Sequence, residues 1–206
     1  MTYHFAKTQG APGAPTLFAF HGTGGDETQL HALAEQMLPD ATVISPRGDV
    51  LEHGANRFFR RTGEGIYDME DLARRTQTMA DFIAEHRGDG PTLAFGYSNG
   101  ANILAAVMLD HPDLIDAAGL LHPLIPWQPQ PQPGLAGKPI LITAGQRDPI
   151  SPTALTQALD TYLAAQGADV ETVWHTGGHE LRQPEISALE AFLTRAAQPK
   201  TNGAAA

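Results

Sequence analysis

Three side-chain types that can together activate a hydroxyl occur here in the order serine, aspartate, histidine, each just past a short apolar run. Gly96-Tyr97-Ser98-Asn99-Gly100 fits the G-x-S-x-G pattern between the strand-like Leu93-Ala94-Phe95 and a small-residue helix. Glycines at both ends let the strand end and the first helical turn approach where a Cβ would clash, and the serine sits in a strained turn with its hydroxyl projecting. A serine hydroxyl is a poor nucleophile at neutral pH and needs a base. Asp148 follows the apolar Ile140–Ala144 across Gly145-Gln146-Arg147, and His179 follows Val170–His175 across Thr176-Gly177-Gly178. Each has a plainer reading: a glycine-flanked serine at an ordinary junction, an Asp-Pro turn starter, one histidine among nine. His175 competes with His179 for the base but sits within the expected strand. Position after a strand end, repeated three times, favours Ser98 as nucleophile, His179 as base and Asp148 as orienting acid. Acyl transfer also needs donors for the developing oxyanion. The backbone N–H groups of Thr23, in His21-Gly22-Thr23-Gly24-Gly25, and of Asn99 are the candidates. That glycine loop lacks the Lys-Ser/Thr end and the spacing of a phosphate loop, and no metal-ligand motif such as H-E-x-x-H occurs.

These residues need a scaffold that brings separate strand ends together. Thr16–Phe20, Thr42–Ser45, the elbow strand, Ala117–His122, Ile140–Ala144 and Val170–His175 read as strands, with an edge strand expected over Tyr3–Thr8. Helices are expected after a capping box at Asp26 and Gln29, from the cap Asp68 to His86, over Asn99–Leu109, from Ser151-Pro152 to Gly167, and over Pro184–Ala196. The Asn99–Leu109 segment is apolar almost all round, as a buried helix is. Pro46–Tyr67 is a long connection without clear period, and Pro123–Pro139, with six prolines, reads as an extended surface segment. Strands that are continuously apolar and alternate with helices indicate an α/β fold, a mostly parallel sheet covered on both faces. One domain over residues 1–197 is expected, with a disordered tail over 198–206.

The 206 residues carry 13 Lys and Arg against 23 Asp and Glu, a formal net charge of −10, which argues against a nucleic-acid partner. There is no cysteine, hence no disulfide and no thiolate nucleophile. The first residues lack a signal-peptide pattern and no apolar run reaches membrane-spanning length, so a cytoplasmic protein without stable membrane insertion is expected. Phe58, Phe59, Leu124, Ile125 and Trp127 are candidates for an apolar substrate wall, with structural core the plainer reading for each except Trp127, whose proline-rich surroundings indicate a surface loop; Arg57, Arg60 and Arg61 could meet an anionic substrate, with a solvated face the plainer reading.

His21–Asp26, the elbow, Gly145–Pro149 and Gly177–Glu180 together resemble the small carboxylesterase/phospholipase family of α/β-hydrolases, which includes acyl-protein thioesterases. Ser45-Pro46-Arg47-Gly48 and Arg57-Phe58-Phe59-Arg60 resemble its bacterial branch of hydroquinone-stress-associated esterases. The resemblance covers roughly residues 16–195. It implies serine-dependent hydrolysis of a small-molecule ester or thioester through an acyl-enzyme, with no cofactor. The chain has no room for a cap domain, so a compact, cap-less α/β-hydrolase is expected, without a metal and as a monomer or homodimer. The alternatives are a thioesterase or lysophospholipase on the same triad, and a weakly catalytic ligand sensor.

Overall fold

The computed structural model describes residues 3–63 and 65–198. Its centre is a seven-stranded sheet built from β1 (Phe5–Thr8), β2 (Thr16–Phe20), β3 (Thr42–Pro46), β8 (Thr92–Tyr97), β9 (Ala117–Leu121), β10 (Pro139–Gly145) and β11 (Asp169–His175). The strand order is β1-β3-β2-β8-β9-β10-β11, and every pair is parallel except β1 with β3. Side chains alternate across a strand, so a sheet covered twice must be apolar at every position. Leu17 and Ala19 enter one core while Phe18 and Phe20 enter the other, and Leu141 is opposed to Ile140 and Ile142 in the same way.

One core lies under α1 (His31–Met37) and α5 (Gln183–Ala196), through Ala34, Met37, Leu189 and Leu193. The larger core lies under α2 (Met69–His86), α3 (Asn99–Asp110) and α4 (Thr153–Ala165), through Met79, Ile83, Ile103, Leu104 and Leu159. Helix α3 is buried at every residue from Asn99 to Met108, the burial its all-round apolar sequence requires. Asp68 caps α2 by accepting the Asp71 amide.

Several local expectations are corrected. Asp26 and Gln29 form no capping box: Asp26 accepts from Thr28, and Gln29 Oε1 accepts from the Gly22 amide at 2.8 Å. The glycine loop thus takes the side chain that helix capping would have used. Ser151 does not cap α4, because its hydroxyl donates to the His122 carbonyl at 3.1 Å and Pro152 stands at the cap position. The Pro46–Tyr67 connection folds into two antiparallel hairpins, β4 (Val50–Glu52) with β5 (Ala55–Arg57) and β6 (Arg61–Gly63) with β7 (Ile66–Tyr67). Strands of two or three residues are too short to reveal a period. The proline-rich link does not run wholly over the surface, since Leu124 and Ile125 are buried in the larger core. Apart from Gln198, the expected tail lies outside the described residues.

Candidate active site

Parallel strands present their carboxyl ends along one edge, and five of those ends supply the site: β2, β8, β9, β10 and β11. Ser98 follows β8 with φ 52° and ψ −115°, a conformation that costs a non-glycine residue about 1–3 kcal/mol and survives only where the surroundings over-determine it. Those surroundings are tight. A Cβ on Gly96 would stand 2.5 Å from the Gly100 carbonyl carbon, and one on Gly100 2.2 Å from the Phe20 carbonyl oxygen. The Ser98 amide donates to the Leu121 carbonyl at 2.8 Å, tying the turn to β9.

His179 Nε2 lies 2.8 Å from Ser98 Oγ, and His179 Nδ1 lies 2.7 Å from Asp148 Oδ2. A carboxylate accepts only, so Nδ1 carries the proton and Nε2 is free to accept the serine proton. Asp148 Oδ1 takes the amides of Ile150 and Ser151 at 2.8 and 2.9 Å. Burial by itself would raise its pKa, but these amides and the rings of His122 and His179 overcome that and hold it below the ordinary carboxylate value. The Tyr97 hydroxyl donates to the His179 carbonyl at 2.7 Å and fixes the loop that carries this ring.

Asn99 is the first residue of α3, where an amide has no partner in the helix ladder. Among the described residues neither its N–H nor that of Thr23 donates to another backbone group outside the regular elements. Thr23 is held from two sides. Its hydroxyl accepts from Arg57 at 2.8 Å, and the adjacent Gly24 amide donates to Asn56 in the β4–β5 hairpin. His21 braces the loop from beneath: its Nδ1 bonds the Gly22 carbonyl at 2.7 Å and its Nε2 accepts the Gly48 amide at 2.8 Å.

A cleft of about 380 Å³ opens above Ser98 and His179, bordered by Thr23, Arg57, Arg61, Tyr67, Asn102, Leu124 and Ile150. Of the five candidate wall residues only Leu124 lies along it. Phe58 and Phe59 are fully buried in the larger core, Ile125 is buried beside them, and Trp127 borders two other cavities. The Arg57 side chain belongs to no solvated face: the residue is buried and its guanidinium reaches the cleft. Arg60, by contrast, keeps an exposed side chain.

Three further polar residues of the site stand beside the candidates read from the sequence. Asn102 donates to the Tyr67 hydroxyl at 2.9 Å and accepts the Leu124 amide at 2.7 Å, binding α3 to the hairpins and the link. His122 follows β9 and Glu185 lies in the first turn of α5, both fully buried behind Asp148. Because β9 ends at Leu121, His122 stands just past a strand end as Asp148 and His179 do, although the apolar run read from the sequence included it in the strand. His122, His175 and Glu185 present one donor atom each within 4.8 Å of one another, as a metal site would. The Gly177 amide, however, donates to His175 Nδ1 at 2.9 Å, which leaves the ring proton on Nε2, the atom a metal would need bare.

A serine at a strained strand–helix turn, on a parallel sheet covered by helices on both faces, defines the α/β-hydrolase class. Within it, the dienelactone hydrolase family profile matches residues 58–196, and the chain belongs to that family. The Bacillus subtilis (strain 168) protein MhqD, whose name places it among hydrolases, is 41% identical over 185 residues, 87% of this chain and 92% of its own. Among solved structures, the carboxylesterase of Bacillus cereus superposes with a TM-score of 0.89 at 37% identity, covering 94% of each chain. Protein Atu2452 of Agrobacterium tumefaciens superposes with a TM-score of 0.88 at 53% identity, covering 94% of this chain and 97% of its own. This chain is thus a hydrolase of the dienelactone hydrolase and carboxylesterase type. Among the described residues no helix is long and apolar enough to cross a membrane.

Proposed function

We propose that the protein hydrolyses short-to-medium carboxylic esters through a covalent acyl-enzyme, with Ser98, His179 and Asp148 as its triad. The observation that carries this reading is the unbroken line from Ser98 Oγ through His179 to Asp148, at 2.8 and 2.7 Å. Ser98 Oγ attacks the carbonyl carbon while His179 Nε2 takes the hydroxyl proton. The oxyanion meets the N–H groups of Thr23 and Asn99. The tetrahedral intermediate collapses, and the departing alcohol leaves with the proton from His179. Water, deprotonated by the same ring, then releases the acid and restores Ser98. Asp148 keeps the imidazole in the tautomer both halves need. The limited cleft favours short and medium acyl chains, with Leu124 and Tyr67 as the apolar contact.

The test is covalent and kinetic together. A fluorophosphonate adds once, and peptide mapping places it on Ser98. Steady turnover of p-nitrophenyl butyrate falls about 10³-fold or more in each of Ser98→Ala, His179→Ala and Asp148→Asn. Label on another residue, full activity in Ser98→Ala, or a crippling His175→Ala beside a mild His179→Ala would overturn it.

A further inference from the structure

The triad accounts for Ser98, His179 and Asp148, but not for how the two oxyanion donors keep their places. Thr23 stands in a glycine loop three residues past the end of β2, and Asn99 opens α3. The paired strands β2 and β8 fix those elements only as far as Phe20 and Gly96. Beyond that level both donors are tied to a third element. Asn56 and Arg57 end β5 and Phe58 follows it, and these three residues make four hydrogen bonds to the glycine loop and to α3. The Asn56 carbonyl accepts the Gly24 amide at 2.9 Å, and the Asn56 side-chain amide donates to the Gly25 carbonyl at 2.8 Å. Arg57 Nη1 donates to Thr23 Oγ1 at 2.8 Å, and the Phe58 amide donates to Asn99 Oδ1 at 2.8 Å.

The three residues are themselves anchored. Arg57 is buried, with Nε 3.2 Å from Glu52 Oε2 on the facing strand β4 and 3.4 Å from the Phe59 carbonyl. A Cβ on Gly48 would stand 2.3 Å from the Arg57 carbonyl oxygen, so the chain leading into β4 packs directly against this backbone. The Phe58 ring lies on His21, ring centres 4.6 Å apart. Asn99 is buried, and its Nδ2 makes no hydrogen bond among the described residues. A buried amide that forgoes its donor's partner is kept for what its oxygen accepts, here the Phe58 amide. Resting on the triad reading above, we propose that Asn56-Arg57-Phe58 is a clamp that sets the oxyanion hole, with Arg57 as the positioning residue of Thr23 and the Phe58 amide as the tether of Asn99.

The consequence falls on the transition state. A substrate carbonyl is held by many contacts, whereas the oxyanion gains most from donors that are already in place when its charge develops. Arg57 also puts a permanent positive charge one hydrogen bond behind Thr23, at the border of the cleft. Loosening the clamp therefore lowers kcat and spares KM. Thr23→Val cuts the link to Arg57 while keeping the branched shape and the backbone N–H, and Thr23→Ser keeps the hydroxyl. Arg57→Met removes the donor from the other side, and Glu52 then keeps Arg61, whose Nε lies 3.0 Å from Oε1.

The experiment is a double-mutant cycle with p-nitrophenyl butyrate, read together with the backbone order parameter of residue 23 in the full chain. Thr23→Val and Arg57→Met each lower kcat about 10- to 100-fold, with KM within about twofold. The double variant is no slower than the slower single one, because both changes break the same bond. Thr23→Ser stays within about threefold of the wild type, since it keeps that bond. The order parameter of residue 23 falls from about 0.85 to below about 0.6 in both Thr23→Val and Arg57→Met. A merely structural role would lower the urea midpoint and leave the kcat coupling and the order parameter in place. An unchanged kcat in Thr23→Val would overturn the inference, and that variant serves alone if Arg57→Met does not fold. Losses that multiply in the double variant would overturn it too. So would an Arg57→Met effect confined to KM for the p-nitrophenyl half-ester of succinic acid, which would make Arg57 a carboxylate-binding group. If the wild type turns over no ester, the triad reading fails, and the order parameter still decides whether Arg57 holds Thr23.

Discussion

His21 shows how much of this site depends on protonation states set by backbone partners. Its Nε2 accepts the Gly48 amide, so its proton must be on Nδ1, which donates to the Gly22 carbonyl. Burial comes first among the causes that lower its pKa, and the folded protein holds it neutral. A lowered value means that the stability it contributes is present above the ordinary imidazole range, near 6.5, and is lost as pH falls through it. His21→Phe preserves the packing on Phe58 but leaves the Gly48 N–H and Gly22 C=O unpaired, so the loop bearing Thr23 loosens. We expect kcat to fall about 10- to 100-fold with KM nearly unchanged, because an oxyanion donor acts on the transition state. Steady-state kinetics with p-nitrophenyl butyrate checks this, and a change confined to KM would move His21 to substrate binding.

At the scale of elements, the elbow works only because β8 and α3 nearly touch β2. A Cβ on Gly100 meets the carbonyl oxygens of Phe20 and His21 at 2.2 and 2.5 Å, and backbone atoms cannot rotate away. Gly100→Ala should therefore cost about 1–3 kcal/mol or more by the usual scale of overpacking, read as a lower midpoint in urea. It should also depress kcat by shifting the start of α3, and with it Ser98 and Asn99. The proline-rich link makes a different contribution. Leu124 borders the cleft while Trp127 packs near Tyr67 and lines cavities outside it. Each buried methylene contributes about 0.8 kcal/mol, so kcat/KM should rise from acetyl to butyryl or hexanoyl esters and then level as the acyl chain reaches water. Leu124→Ala should flatten that rise, and Trp127→Ala should leave the short esters alone. An acyl series on both variants checks the pair, and a steady rise through dodecanoyl would require an enclosed tunnel.

For the whole molecule, the buried charges predict a stability curve with two shoulders. Asp148 and Glu185 have lowered values, so their contributions are present above the ordinary carboxylate range and are lost as pH falls through and below it. His122 has a raised value, so its contribution is full below the ordinary imidazole value and is lost as pH rises through its folded value. Urea midpoints taken across pH should fall on the acid side through the two carboxylates. As pH rises above the ordinary imidazole value they should fall through His122. In His122→Asn the alkaline decline should flatten, while the acid decline persists. An unchanged alkaline slope would remove His122 from that account.

The sequence by itself determined the doubly covered sheet, because continuous apolar runs alternating with helical periods have few other ways to bury themselves. It also marked Ser98, Asp148 and His179, since each stands just past the end of a run and strand ends converge in a parallel sheet. Local pattern could not say which polar side chains a buried neighbour would claim. Gln29 and Ser151 read as helix caps, but the amide of Gly22 and the carbonyl of His122, distant in sequence, took them. Phe58 and Phe59 read as wall or core alike, and only packing beneath the hairpins placed them in the core. His122 and Glu185 are separated by two strands, a helix and several loops, and neither type nor spacing links them. Their meeting behind Asp148 was decided by the sheet order and by the way α5 crosses β9, β10 and β11, where two carboxylates and two imidazoles must satisfy one another without water.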